Sequence, residues 1–114
     1  MKISRDQIAV TKNKGKGWKI IAFKEIMYCE ADGSYTKIYL AGGEYLTASK
    51  NLGTLEAHLP KDVFIRVHHK YLANRYFFSE IHMDDGCAVV LKNGTSLKVS
   101  HNRKAGVITA FEKF

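Results

Sequence analysis

The 114-residue sequence predicts a mainly β domain of about eight to ten short strands with two short helices. Three observations predict it. Apolar and polar residues alternate in short runs, the period of a half-buried strand. Turn signals recur between these runs, at Asn13–Gly17, Asp32-Gly33, Gly42-Gly43, Asp84-Asp85-Gly86 and Lys92-Asn93-Gly94. Only two segments, one after Ser49 and one after Ser100, carry apolar residues at helical spacing.

Taken in order, residues 1–7 are polar and read as mobile. Ile8–Thr11 and Trp18–Phe23 read as two strands joined by the basic, glycine-bearing turn over Asn13–Gly17. Ile26–Ala31 is a third strand, closed by Asp32-Gly33. Tyr35–Leu40 alternates cleanly: Thr36, Ile38 and Leu40 share one face, and Tyr35, Lys37 and Tyr39 share the other. Glu44–Ala48 follows Gly42-Gly43. Ser49 is expected to cap a short helix whose Leu52, Leu55 and Leu59 form one apolar stripe before Pro60 stops it. Gly53 costs this helix about 1 kcal/mol relative to alanine, so packing must hold it. The stretch Phe64–Asn74 suits a strand that breaks and resumes. Phe77–Met83 is a further strand, and Cys87–Leu91 with Thr95–Val99 forms a hairpin on Asn93-Gly94. Ser100 is expected to cap a last helix with Val107, Ile108, Phe111 and Phe114 on its apolar side.

Composition narrows the function. Eighteen Lys+Arg against eleven Asp+Glu give a net charge of +7 and a pI near 9.5, which favours a polyanionic partner. No apolar run approaches a membrane span and no signal peptide is recognised, so no membrane partner and a cytoplasmic location are expected. Cys29 and Cys87 fall inside apolar strand patterns and read as small buried hydrophobes in a reducing compartment.

Three places gather donors. The first is the turn of Ser34 and Tyr35, with Lys37 two residues on. The second is Arg66, His68, His69 and Lys70, four donors in a stretch that holds no carboxylate. Like charges this close repel, so an anion is expected among them. The third is Ser100-His101-Asn102-Arg103-Lys104. Basic residues in the first turn of a helix oppose its macrodipole, and Arg103 stands where a capping acid would. A phosphate there would meet free backbone N–H groups and three side-chain donors. The competing reading is charge merely pointing into solvent; two such runs in so basic a domain favour phosphate.

No metal and no cofactor are expected. His68 and His69, adjacent in an extended chain, would point to opposite faces, and no Cys-x-x-Cys or His-x-x-x-His pattern exists. His58 and His82 read as half-buried structural side chains. Catalysis has one foothold: His68-x-Lys70 matches the opening of the phospholipase-D-type phosphodiesterase motif. Arg75 stands where that motif needs aspartate, and no second copy exists. The chain reads as a non-enzyme.

The sequence resembles the LytTR family of bacterial DNA-binding domains over residues 20–112. The resemblance rests on Ile26–Thr36, on Phe64–Asn74 and on Leu97–His101, in that order, with a short helix between the first two blocks. Residues 20–114 would be the LytTR-like domain, and residues 1–19 an N-terminal polar segment and first strand or linker. The resemblance implies an elongated arrangement of small antiparallel sheets whose loops enter successive major grooves of double-stranded DNA. By position it implies base contacts near Tyr35, at His69 and at His101. Ser34, Lys37, Arg66, His68, Lys70, Asn102, Arg103 and Lys104 would hold phosphates, and Tyr71 and Asn74 would fix loop geometry. It further implies paired direct repeats, a dimer on DNA, and a receiver domain of a two-component system lying outside this chain. Histidine stands at positions 69 and 101 where the family pattern favours other donors. Imidazole cannot make the bidentate contact to guanine that arginine makes, so the base read there is open. The competing function is a single-stranded nucleic-acid-binding β module that stacks bases on Tyr35, Tyr39 and Tyr71.

Overall fold

Residues 6–12 and 16–114 are described by the structure, a computed structural model. They form ten strands: β1 (Gln7–Thr11), β2 (Trp18–Ala22), β3 (Ile26–Asp32), β4 (Tyr35–Leu40), β5 (Tyr45–Ala48), β6 (Phe64–His68), β7 (Tyr71–Asn74), β8 (Phe78–His82), β9 (Cys87–Leu91) and β10 (Ser96–Val99). Helix α1 (Leu52–His58) follows β5, and α2 (Lys104–Thr109) follows β10. The strands make three antiparallel sheets: β1-β2, β5-β4-β3-β7-β6, and β10-β9-β8. The mainly β class, the small sheets and the two short helices are as the sequence predicts. The expectations for residues 1–5, and for the part of the first turn over 13–15, lie outside the described residues.

Turn chemistry explains the hairpins. Gly33 holds φ +61° between the paired Asp32 and Tyr35, a conformation that costs glycine nothing and L side chains a good deal. Gly94, at φ +92°, does the same between β9 and β10, and its N–H donates to Leu91 O at 2.8 Å.

The five-stranded sheet separates two cores. Cys29, Ile38, Leu40, Leu46 and Leu72 face one way, onto Val10, Ile21, Leu52, Leu55 and Phe64. Met27, Val67 and Ala73 side with Val89, Leu91, Leu97, Val99 and Val107. The pairing passes from Ile26↔Leu40 to Tyr28↔Tyr39, so Met27 is an extra residue in β3. That bulge sends Met27 and Tyr28 both toward the second core, which a flat alternation would not allow. Two buried polar side chains tie the loops down. Thr36 Oγ1 donates to Lys50 O at 2.8 Å. Asn74 Nδ2 donates to Ile26 O, and its Oδ1 accepts from the Tyr76 N–H, both at 2.9 Å.

Several expectations are corrected. The stretch Phe64–Asn74 is a hairpin rather than one interrupted strand: β6 and β7 pair antiparallel, and the chain reverses at His69-Lys70. Asn51, not Ser49, caps α1, its Oδ1 accepting from the Thr54 N–H at 2.8 Å. Thr36 holds Lys50 against β4, so the chain turns two residues later than its first serine. Ser100 makes no side-chain cap to the backbone; the chain passes through a 3-10 turn at His101–Arg103 before α2 begins. Val107 is fully buried, but Phe114 is fully exposed; it is Phe111 that packs, beside Phe78 and under the Arg75 guanidinium. His58 and His82 are exposed, not half-buried, each bonded to a near neighbour in sequence, Thr54 O and Glu80. Cys29 and Cys87 are free and buried, as read.

Candidate nucleic-acid interface

Register brings the three donor-rich places to one edge. β3 and β7 are adjacent and antiparallel, with Glu30 opposite Tyr71, so β3 ends where β7 begins. The β3–β4 turn and the β6–β7 turn therefore leave the sheet at the same end, and Ala31 N–H donates to Lys70 O at 2.9 Å between them. The 3-10 turn of His101–Arg103 lies on the far side of β6, anchored where the Ser100 N–H donates to Val67 O at 2.9 Å. Ser34, Tyr35, His69, Lys70, His101, Asn102 and Arg103 are all exposed on these three elements. Lys37 stands back from the edge, with its Nζ 5.5 Å from the centre of the Tyr45 ring. Lys104 opens α2 and is half-buried.

The second element is not the unbalanced cluster its sequence implies. Arg66 Nη1 donates to Glu56 Oε1 at 2.6 Å, its Nε to His68 O at 2.9 Å and its Nη2 to His69 O at 2.6 Å. Lys70 Nζ lies 3.7 Å from Glu30 Oε2. Two of the four donors thus have a carboxylate within the fold, supplied by α1 and β3. The histidines are corrected too: at a reversing turn their rings lie side by side, 4.3 Å between centroids, not on opposite faces. His68 Nδ1 accepts from the Lys70 N–H at 3.2 Å. Burial, and then the charges of His69, Lys98, Lys70 and Arg66, hold the His68 pKa below the ordinary imidazole value.

Behind this edge an aromatic row crosses the sheet. Tyr45, Tyr39, Tyr28, Tyr71, His68 and His69 follow one another with centroids 4.3 to 6.4 Å apart. Tyr39 stacks on Tyr28 at 4.5 Å and 12°, so a ring face that a base would need is already covered. Its hydroxyl donates to Glu30 Oε1 at 3.1 Å. Burial, the bond to Glu30 and that carboxylate's charge push the phenol up to about 12.

In the third element Ser100 Oγ donates to Asn102 Oδ1 at 3.1 Å, which leaves the Asn102 amide NH₂ as its outward donor. Asn102 and Arg103 share a cleft with Arg66 and Glu56, so the second and third elements are neighbours in space. Among the described residues no group of three His, Cys, Asp or Glu could hold a metal, and no helix is long and apolar enough to cross a membrane. Sequence reasoning missed Glu30, Glu56 and Lys98, because strand register and tertiary packing bring them to the hairpin and no local spacing marks them.

The family model for the LytTr DNA-binding domain matches residues 16–112. Among solved structures, one similar chain is the LytTr DNA-binding domain of a protein described as a methyl-accepting/DNA response regulator from Bacillus cereus. It superposes with a TM-score of 0.81 at 24% identity, over 94% of this chain and 97% of that one. At that identity the likeness is one of fold. A search of the curated proteins found no match.

Proposed function

This chain belongs to the LytTr DNA-binding domain family, and from that premise we propose that it reads double-stranded DNA sequence-specifically through loops in successive major grooves. The observation that carries the proposal is the meeting of three donor-rich loops on one edge of the molecule. The only α-helices among the described residues are seven and six residues long, and neither stands as a groove-reading helix. The longest dimension of the molecule is 45 Å, against about 34 Å for one turn of B-DNA.

Base reading is assigned to Tyr35, His69 and His101, each exposed on a different loop. Ser34, Lys37, Asn102, Arg103 and Lys104 hold phosphates, and His68 offers its Nε2–H beside them. Arg66 and Lys70 flank the same turn, but their charges are already answered by Glu56 and Glu30. They add least to salt dependence. The chain acts in the bacterial cytoplasm as the output domain of a two-component response regulator. Its partners are paired direct repeats, a second copy on the DNA, and a receiver domain outside this chain. No catalytic role is assigned: the phosphodiesterase motif is incomplete, and burial pushes the Cys29 thiol up to about 12, where it is no nucleophile.

The single-strand reading loses support from the Tyr28–Tyr39 stack, which occupies a platform that a base would need. Selection from a random duplex library at near-physiological salt separates the two. Recovery of a short motif, as two copies about one helical turn apart, supports the duplex reader. Recovery of nothing, with tight binding to single strands, overturns it.

A further inference from the structure

Glu56 lies on α1, outside the three donor-rich loops in sequence, and it meets the β6–β7 hairpin through the Arg66 side chain, in the cleft that Asn102 and Arg103 also line. Arg66 folds back along its own strand so that a single guanidinium bonds the carbonyls of His68 and His69 and the carboxylate of Glu56. Three of its five N–H donors are spent this way. The Arg66 side chain is 15% exposed and that of Glu56 33%, so the cation sits largely out of water. A charge so placed is held only while its counter-charge and hydrogen bonds remain. Without Glu56 the guanidinium gains by turning to solvent, and both carbonyls of the turn lose their donor. The His69 side chain, which leaves the chain between those two carbonyls, then loses its fixed direction.

We propose that Glu56 is a positioning residue for DNA reading, acting through Arg66 to fix the backbone at His68-His69 and so the aim of the His69 imidazole. The inference rests on the duplex-reading function above, and it adds a residue that touches no DNA. A planar fork is required: lysine at position 66 keeps the charge but cannot bond two carbonyls and a carboxylate in one plane.

The test compares wild type, Glu56→Gln and Arg66→Lys on a duplex carrying the selected site and on its single-base-pair variants, at several salt concentrations. In the free proteins, exchange of the Lys70 amide and the His68 and His69 ring signals are followed by NMR. Both variants are expected to lose about tenfold of discrimination at the base pair facing His69, the worth of about one hydrogen-bonded contact. Discrimination at the pair facing His101 stays as in wild type and the Lys70 amide exchanges faster, while the salt slope of Glu56→Gln steepens by at most about 0.9, since the released Arg66 can meet a phosphate. Equal losses at every position, or undiminished discrimination at the His69 pair, would overturn the inference. A wild type that discriminates no duplex would instead overturn the function. The free-protein measurement then still decides the clamp, since unchanged Lys70 exchange and unchanged histidine signals in both variants refute it.

Discussion

His68 Nδ1 accepts a hydrogen bond from the main-chain N–H of Lys70, 3.2 Å away, across the turn that carries His69. The bond leaves the ring proton on Nε2 and requires the neutral imidazole. Burial and the neighbouring cations depress the folded-state pKa below the unfolded value of about 6.5. The sign follows from linkage: the neutral form is the one the fold prefers. This contribution to stability is complete above about pH 6.5 and is lost as pH falls through the folded-state pKa. His68→Asn keeps an acceptor near Nδ1 and does not titrate. Melting temperatures across this range should fall with pH more steeply for wild type than for the variant; parallel curves would refute the role of the bond.

Glu30 stands between Lys70 and Tyr39, so in the proposed interface it would compete with phosphate for the lysine. Both partners of the ion pair are partly exposed, so the pair itself is weak. With Lys37, Arg103 and Lys104 as the cations free to bind phosphate, log K should fall against log salt with a slope of about −3. Glu30→Gln releases Lys70 and removes a negative charge from the interface. Its slope should steepen by about 0.9 and its affinity at low salt should rise. A variant that bound more weakly would show Glu30 to be a support for the loop instead.

Asn74 is 1% exposed and spends both ends of its amide inside the fold, on Ile26 O and on the Tyr76 N–H. Asn74→Ala strands a buried carbonyl and a turn N–H together. Chemical denaturation should show a loss of about 2–4 kcal/mol, two unsatisfied groups at about 1–2 kcal/mol each. A loss under about 0.5 kcal/mol would mean that water replaces the amide without cost.

Cys29 is fully buried, and its thiol is pushed up to about 12 by burial alone. A thiol reagent should reach it only when the domain opens, so its labelling should be slow in the native protein and speed up as denaturant populates the open form. Cys87, 8% exposed at the first position of β9, should react first. Rapid labelling of Cys29 in the native protein would contradict the packing of the first core.

Most strands were legible because their signals are local. Tyr35–Leu40 matches β4 residue for residue, since alternation and a bounding glycine are properties of neighbours. Asn93-Gly94 announced its hairpin for the same reason. The helix stripe of Leu52, Leu55 and Leu59 is buried throughout, though the cap moved from Ser49 to Asn51. The β6–β7 hairpin escaped detection because its turn, His69-Lys70, holds no glycine, asparagine or aspartate. A register shift between Arg66 and His68 further disguises the alternation.

The sequence by itself determined the mainly β class, the basic balance and the three loops where donors gather, because period, composition and turn chemistry are written in adjacent residues. Tertiary structure alone decided which of those donors are free. Glu56 reaches Arg66 from a helix ten positions earlier, and Glu30 reaches Lys70 from a strand forty positions earlier. Coulombic pairing depends on distance in space, and strand register set that distance. The unbalanced charge apparent in Arg66–Lys70 is therefore, in the folded chain, a turn in which both Arg66 and Lys70 face a carboxylate.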